Sequence, residues 1–121
     1  ENGVPDFYEL VIVASEENIA EDPDVVQKFV RAVTRGYQDA IKDPRDAVAV
    51  LKAEKPETDL AIENPGVDLL APLWATDNGI FGWQELDRWE DFAAWMVEVG
   101  LLETAEGAGD AYDNSFVEKA N

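Results

Sequence analysis

The sequence contains no cysteine and no histidine. Without cysteine, the chain can form neither a disulfide nor a thiolate metal site. Without histidine, it lacks the commonest general base and the commonest metal-ligating side chain. It also lacks any apolar run near the roughly twenty residues that a membrane helix needs. Disulfide frameworks, histidine-based catalysis and membrane-spanning helices are therefore excluded for these 121 residues.

Basic residues are scarce as well. Nine lysines and arginines face 27 aspartates and glutamates, which leaves a formal charge of -18. Such a surface repels nucleic-acid phosphates and anionic lipid, so we expect neither as a partner. Neighbouring carboxylates such as Asp110 and Asp113 are more simply explained as solvated surface than as acid–base pairs. The hydrophobic content of 46% nevertheless suits a folded chain of one domain at most.

One segment has the pattern of a strand. Tyr8 to Ala14 is short, rich in β-branched residues and apolar after Glu9, which predicts a strand buried on both faces. Nothing else in the sequence clearly supplies neighbouring strands. We therefore expect the chain to be part of something larger, and strand 8–14 to be a site of self-association. The start at Glu1, without an initiator methionine, favours a processed or excised piece.

Two Asp-Pro pairs mark helix starts, at Asp22-Pro23 and Asp43-Pro44. With the apolar spacing that follows them, they predict helices over 22–42 and 44–54, and a third helix is predicted over 85–99. Residues 58–76 carry helical spacing interrupted by prolines, so we predict two helical pieces there. A glycine after the third helix predicts a left-handed C-cap at position 100.

The twelve aromatic residues fall into two groups. Trp89, Phe92 and Phe29 stand at helical spacing and are predicted to be core. The other three of interest flank a predicted turn at residues 77–79. They either stack on a flat ligand or anchor packing, and the sequence leaves both alternatives open for Trp74, Phe81 and Trp83.

Glu9 lies at the mouth of an apolar strand, next to Tyr8. An unpaired carboxylate buried there would be costly. Glu9 therefore either accepts hydrogen bonds from a ligand or faces solvent at the end of the strand, and both alternatives stay open on the residues alone.

Several motifs, in order along the chain, resemble one protein family. Residues 3–16 (Gly-Val-Pro-Asp-Phe-Tyr-Glu-Leu-Val-Ile-Val-Ala-Ser-Glu) are similar to a segment of solute-binding proteins of the thiamine-pyrimidine-precursor class, where the chain returns from the second lobe to the first. The helices that follow are similar too, in residues 23–32, Gly36-Tyr37, Asp43-Pro44, 71–74, 82–84, 88–96 and 100–102.

The resemblance implies an α/β fold of the periplasmic-binding-protein type II class. Residues 1–121 would form a single, mostly helical C-terminal segment of it with one main strand. It further implies an extracytoplasmic receptor that delivers a thiamine pyrimidine precursor or similar aminopyrimidine to an ABC permease. Tyr8 would stack on the ring and Glu9 would accept from its exocyclic amine. No catalytic residue, metal or cofactor is implied.

Two rival functions remain at this stage. The same fold also serves a pyrimidine-precursor synthase, although the metal and histidine chemistry of that enzyme cannot lie in a chain without histidine. A stand-alone acidic helical interaction module is the other alternative.

Overall fold

The computed structural model describes residues 3–74 and 79–121. Within them the chain forms six α-helices and two short 3₁₀ turns. The α-helices are α1 (Glu16–Glu21), α2 (Pro23–Lys42), α3 (Pro44–Glu54), α4 (Leu60–Leu70), α5 (Leu86–Glu98) and α6 (Ser115–Glu118). The 3₁₀ turns are Ala71–Leu73 and Ala108–Asp110. The three helices predicted over 22–42, 44–54 and 85–99 are confirmed.

Local chemistry explains where the first helices begin. The Ser15 hydroxyl accepts a hydrogen bond from the Asn18 amide at 3.2 Å and caps α1. The Asp43 carboxylate accepts from the Asp46 amide at 3.0 Å, and Pro44 occupies the first helical position of α3. Asp22 precedes Pro23 in the same way but makes no capping bond with its side chain. Proline, with its fixed φ and missing N–H, suits this first position.

The end of α5 is a Schellman motif. Gly100 has φ 77°, the left-handed conformation that glycine adopts most readily. The Leu101 amide donates to the Met96 carbonyl at 2.7 Å, and the Gly100 amide donates to the Val97 carbonyl at 3.1 Å. The C-cap predicted at position 100 is thereby confirmed.

The stretch over residues 58–74, which contains two prolines, shows where its helical pieces meet. The helix α4 continues unbroken through Pro65 and gives way to the 3₁₀ turn only around Pro72. Proline at position 65 cannot donate to the carbonyl of Ala61, four residues earlier. Ala61 is exposed, so water can satisfy that carbonyl. The two helical pieces predicted in this stretch are therefore α4 and the 3₁₀ turn, and they meet next to Pro72 and not at Pro65.

The strand predicted from Tyr8 to Ala14 is also wrong. Residues 11–15 have no regular structure, and residues 3–74 and 79–121 contain no strand. A β-strand exists only when its backbone pairs with a neighbour. This part of the chain offers none, so the fold shows helices without the one main strand expected.

The helices pack in chain order, with α1 against α2, α2 against α3, and α3 against α4. Near the end of the chain α6 returns to α2, where the Gln27 side chain donates to the Phe116 carbonyl at 2.9 Å. Among the described residues, the buried ones are few and mostly small: Thr34, Val48, Val67, Ala71 and Ala93. Phe29, predicted to be core, is 56% exposed. None of the described helices has the length and apolar character needed to cross a membrane.

Candidate functional site

The predicted site residues lie where the N-terminal segment docks on α5. Three consecutive residues make this contact, each by a different interaction. Asp6 forms an ion pair with Arg88 at 2.9 Å, and the Phe7 ring stacks on Phe92 with centroids 4.6 Å apart. We call residues 6–8, together with the residues they contact on and beside α5, the N-terminal clasp.

Tyr8 makes the third contact of the clasp. Its hydroxyl accepts a hydrogen bond from the Glu85 amide at 2.7 Å. Glu85 is the N-cap residue of α5, and its own side chain makes no capping bond. The first amides of a helix need acceptors from outside the helix. Tyr8 therefore satisfies a donor at the start of α5 from nearly eighty residues away in sequence.

The ring of Tyr8 is half-buried and already has neighbours. The Arg88 guanidinium lies 4.6 Å from its centroid, in cation–π geometry. The Trp89 ring is 5.9 Å away and tilted by 38°. Trp89 in turn lies parallel to Tyr112, with centroids 6.0 Å apart, and its indole N–H donates to the Gln84 side chain at 3.0 Å.

Glu9 follows the clasp and is exposed. In the described part of the chain its carboxylate forms no ion pair and no hydrogen bond. The free-energy cost of burying an unpaired Glu9 carboxylate therefore does not arise in this structure. The carboxylate is available as an acceptor next to an aromatic ring.

A shallow cavity of about 240 Å³ lies beyond Glu9, between the irregular segment and the first two helices. Its lining is mostly apolar: Val13, Ala14, Asn18, Asp22, Val25, Val26 and Phe29. Small-molecule sites usually enclose about 300–1,000 Å³. This cavity is open and small, so alone it would not enclose a drug-sized ligand.

A second cavity of about 320 Å³ lies between α3 and α4. Its lining includes Arg45 and Lys52. Two cations side by side in so acidic a chain suggest a binding site for an anion. Both cations are already engaged. Arg45 pairs with Asp68 at 2.5 Å, and the Lys52 ammonium donates to the carbonyls of Pro56 and Thr58. The cavity therefore presents no free positive charge.

The aromatics around the predicted turn serve as packing anchors in two of three cases. Tyr37 of α2 contacts Trp74 edge-on at 5.3 Å and stacks on Phe81 at 4.5 Å. Trp83 is half-buried. Residues 77 and 78 of the predicted turn lie outside the described residues.

Two structural residues near the site escaped sequence reasoning. The Asn114 side chain accepts from the Gln84 amide at 3.0 Å and donates to the Gln84 carbonyl at 2.8 Å. Its partner is thirty residues away in sequence, so this contact leaves no local signal. Arg88 was also missed as a residue of the site. It is next to Trp89 in sequence and lies one helical turn before Phe92 on α5.

No group of three or more carboxylates in residues 3–74 and 79–121 is placed to hold a metal ion. The predicted site is thus a carboxylate beside an aromatic clasp, with hydrogen-bonding and stacking capacity.

The chain is similar in sequence to a family model over part of its length and to two known proteins over most of it. Residues 1–47 match the family model described as NMT1/THI5 like. The formylaminopyrimidine-binding protein of Halalkalibacterium halodurans is 29% identical over 116 residues, covering 93% of this chain and 35% of that protein. The riboflavin-binding protein RibY of Chloroflexus aurantiacus is 30% identical over 112 residues, covering 88% of this chain and 32% of that protein.

The chain is a relative of these solute-binding proteins. The relationship confirms the resemblance read from the sequence, and the NMT1/THI5-like family implies a periplasmic-binding-protein type II fold. The chain spans about a third of the length of the two curated relatives it matches. No solved structure gives a significant match.

Proposed function

We propose that this chain is part of an extracytoplasmic solute-binding protein that serves an ABC importer and performs no catalysis of its own. The observation that carries the proposal is the similarity to two proteins named for binding, which extends over about nine-tenths of the chain. The permease partner and the location outside the cytoplasm are part of the same proposal, and the similarity to these binding proteins supports them.

The ligand we propose is a flat, nitrogen-rich heteroaromatic, with an aminopyrimidine such as a thiamine pyrimidine precursor as the first candidate. The names of the relatives support this class, because formylaminopyrimidine and riboflavin both present planar heterocycles with hydrogen-bonding edges. Such ligands are bound through stacking on aromatic rings and a few placed polar groups.

We assign the polar contact to Glu9 and the aromatic contact to Tyr8. Arg88 and Trp89 already cover part of the surface of the Tyr8 ring. A ligand can therefore stack only on the part of the ring that these two side chains leave uncovered. Glu9 is exposed and has no partner in the described part of the chain. Its carboxylate would accept from an exocyclic amine, and such charge-assisted hydrogen bonds are the strong ones. Glu9 therefore carries the larger share of the proposed affinity.

The test is a chimera in which this chain replaces the matching portion of the formylaminopyrimidine-binding protein. Titration calorimetry with formylaminopyrimidine should show binding. Glu9→Gln should weaken it by about 1.5–3 kcal/mol, the range for hydrogen bonds to charged groups. Glu17→Gln on α1, another exposed carboxylate, is the matched control and should bind as the unsubstituted chimera does.

Two failures are distinguishable. A folded chimera that binds neither formylaminopyrimidine nor riboflavin would overturn the proposed function. A chimera that binds equally well with and without Glu9→Gln would leave the function standing and refute the site.

A further inference from the structure

Arg88 occupies a position where a helix disfavours a cation. It is the third residue of α5, in the first turn, where the positive end of the helix dipole favours carboxylates and opposes positive charge. The chain has only nine basic residues against 27 acidic ones, and one of the nine stands here. A residue that conflicts with its local structure is expected at a site or at a tertiary contact that compensates for the conflict.

The partners of Arg88 lie on the N-terminal segment and not on its own helix. Asp91 is three residues further along α5, a spacing that allows an ion pair on a helix surface. Among the described residues, Arg88 instead forms its ion pair with Asp6, at 2.9 Å. Its guanidinium also lies over the Tyr8 ring, 4.6 Å from the centroid. One side chain of α5 therefore contacts two residues of the segment that carries the proposed site.

The Tyr8 ring is held at two points, and each removes a different freedom. The Glu85 amide donates to the hydroxyl at 2.7 Å and fixes the far end of the ring. That bond alone leaves the ring plane free to turn, because the hydroxyl oxygen lies on the axis about which the ring rotates. The guanidinium over the ring opposes this rotation, since cation–π attraction requires the cation to lie over the face of the ring.

The plane of the ring matters for a ligand that stacks on it. Offset-stacked rings attract each other when they are nearly parallel, so a flat ligand needs a ring of defined orientation. A ring that is oriented before the ligand arrives loses less conformational entropy on binding than a freely turning one.

We propose that Arg88 is a positioning residue of the binding site, which fixes the plane of the Tyr8 ring so that its uncovered part is ready to stack on a flat ligand. This inference rests on the function proposed above. It adds a residue that acts on the ligand only through Tyr8.

Calorimetry on the chimera with the formylaminopyrimidine-binding protein tests the role. Arg88→Gln removes the charge and should weaken the binding of formylaminopyrimidine about three- to tenfold, because the ligand must then order the ring itself. Arg45→Gln is the matched control, since Arg45 is also a surface arginine in an ion pair, with Asp68 on α4. It should bind as the unsubstituted chimera does. Equal affinities of the two variants would overturn the proposal.

A double-mutant cycle separates positioning from direct contact with the ligand. In a Tyr8→Leu background there is no ring to orient, so Arg88→Gln should cause no further loss of affinity. A loss as large as the one seen with Tyr8 present would show that Arg88 acts without the ring, and would overturn the positioning role. Arg88→Lys keeps the cation and should bind more tightly than Arg88→Gln. Equally weak binding of these two variants would refute the cation–π contact as the cause.

Thermal unfolding of the same chimeras distinguishes positioning from a purely structural role. Arg88→Gln and Arg45→Gln each remove one exposed ion pair, and such pairs contribute little to stability. Their melting temperatures should therefore be nearly equal. A much lower melting temperature for Arg88→Gln, with a loss of affinity that persists in the Tyr8→Leu background, would assign Arg88 to the fold alone.

Failure of this inference differs from failure of the proposed function. A folded chimera that binds neither formylaminopyrimidine nor riboflavin would overturn both. A chimera that binds formylaminopyrimidine with the same affinity before and after Arg88→Gln would overturn the role of Arg88 alone.

Discussion

Replacing Trp89 by alanine should destabilise the chain more than any other single truncation on α5. Trp89 connects three regions: it contacts Tyr8 of the N-terminal clasp at 5.9 Å, Tyr112 near the end of the chain at 6.0 Å, and Gln84 through a 3.0 Å hydrogen bond. Few large side chains in the described residues are buried. The contacts of a half-buried tryptophan are therefore a large fraction of the apolar packing that stabilises the fold.

The magnitude follows from its burial. Truncating a fully buried tryptophan or phenylalanine to alanine costs about 3–5 kcal/mol. Trp89 is only half-buried, which reduces the packing loss to roughly half of that range. The lost hydrogen bond adds about 1 kcal/mol, and the lost aromatic pairs add a smaller amount. We expect a total of roughly 2–4 kcal/mol, or a fall in melting temperature of about 8–16 °C at about 4 °C per kcal/mol.

Thermal unfolding followed by far-ultraviolet circular dichroism measures the effect. Leu69→Ala, at a side chain 75% exposed on α4, is the control and should change stability by less than about 0.5 kcal/mol. Trp89→Phe should lie between the two, because it keeps a ring but loses the indole donor. A melting temperature for Trp89→Ala equal to that of Leu69→Ala would refute the reasoning.

Three further predictions concern the clasp, the Gln84 contact and the charge. Tyr8→Phe removes the acceptor of the Glu85 amide and should lower the free energy of unfolding in urea by about 0.5–1.5 kcal/mol. Tyr112→Phe is the control, because the Tyr112 hydroxyl has no hydrogen bond in the described residues, and it should not change this free energy measurably. Asn114→Ala leaves both backbone groups of Gln84 without their partner and should cost about 1–3 kcal/mol in the same assay; a loss below that range would show that water replaces the side chain. Raising sodium chloride should increase the melting temperature, because 27 acidic residues face only nine basic ones and salt screens their repulsion; a flat or falling melting temperature would contradict this.

The helices were predictable because their signals are local. The Asp43-Pro44 pair sets the start of α3 through one side-chain bond over three residues, and Gly100 ends α5 through its own φ angle. The same local reasoning failed at Pro65, where the solvent exposure of Ala61 lets the helix tolerate a missing hydrogen bond. That exposure depends on tertiary packing and leaves no mark in the neighbouring sequence.

The strand and the site depend on non-local partners, which is why the sequence described them less well. The composition of residues 10–13 indicates a buried strand, yet burial needs a second chain or segment, and in this structure those side chains are exposed. For the site, the sequence predicts Tyr8 and Glu9 as an adjacent aromatic and carboxylate pair. The contacts of Tyr8 with Glu85 and Arg88 span about eighty residues and could not be read from spacing. The ligand roles of Tyr8 and Glu9 stay predictions.

The N-terminal clasp also bears on the order of folding. The bond between Tyr8 and Glu85 joins residues 77 apart, and the bond between Gln27 and Phe116 joins residues 89 apart. Closing such long loops costs conformational entropy before any contact compensates for it, whereas the contacts of α1 with α2, α2 with α3 and α3 with α4 need only short connections to close. We therefore expect α1 to α4 to assemble early and the clasp to close after the folding transition state. Substitutions in the clasp would then accelerate unfolding while leaving the folding rate nearly unchanged.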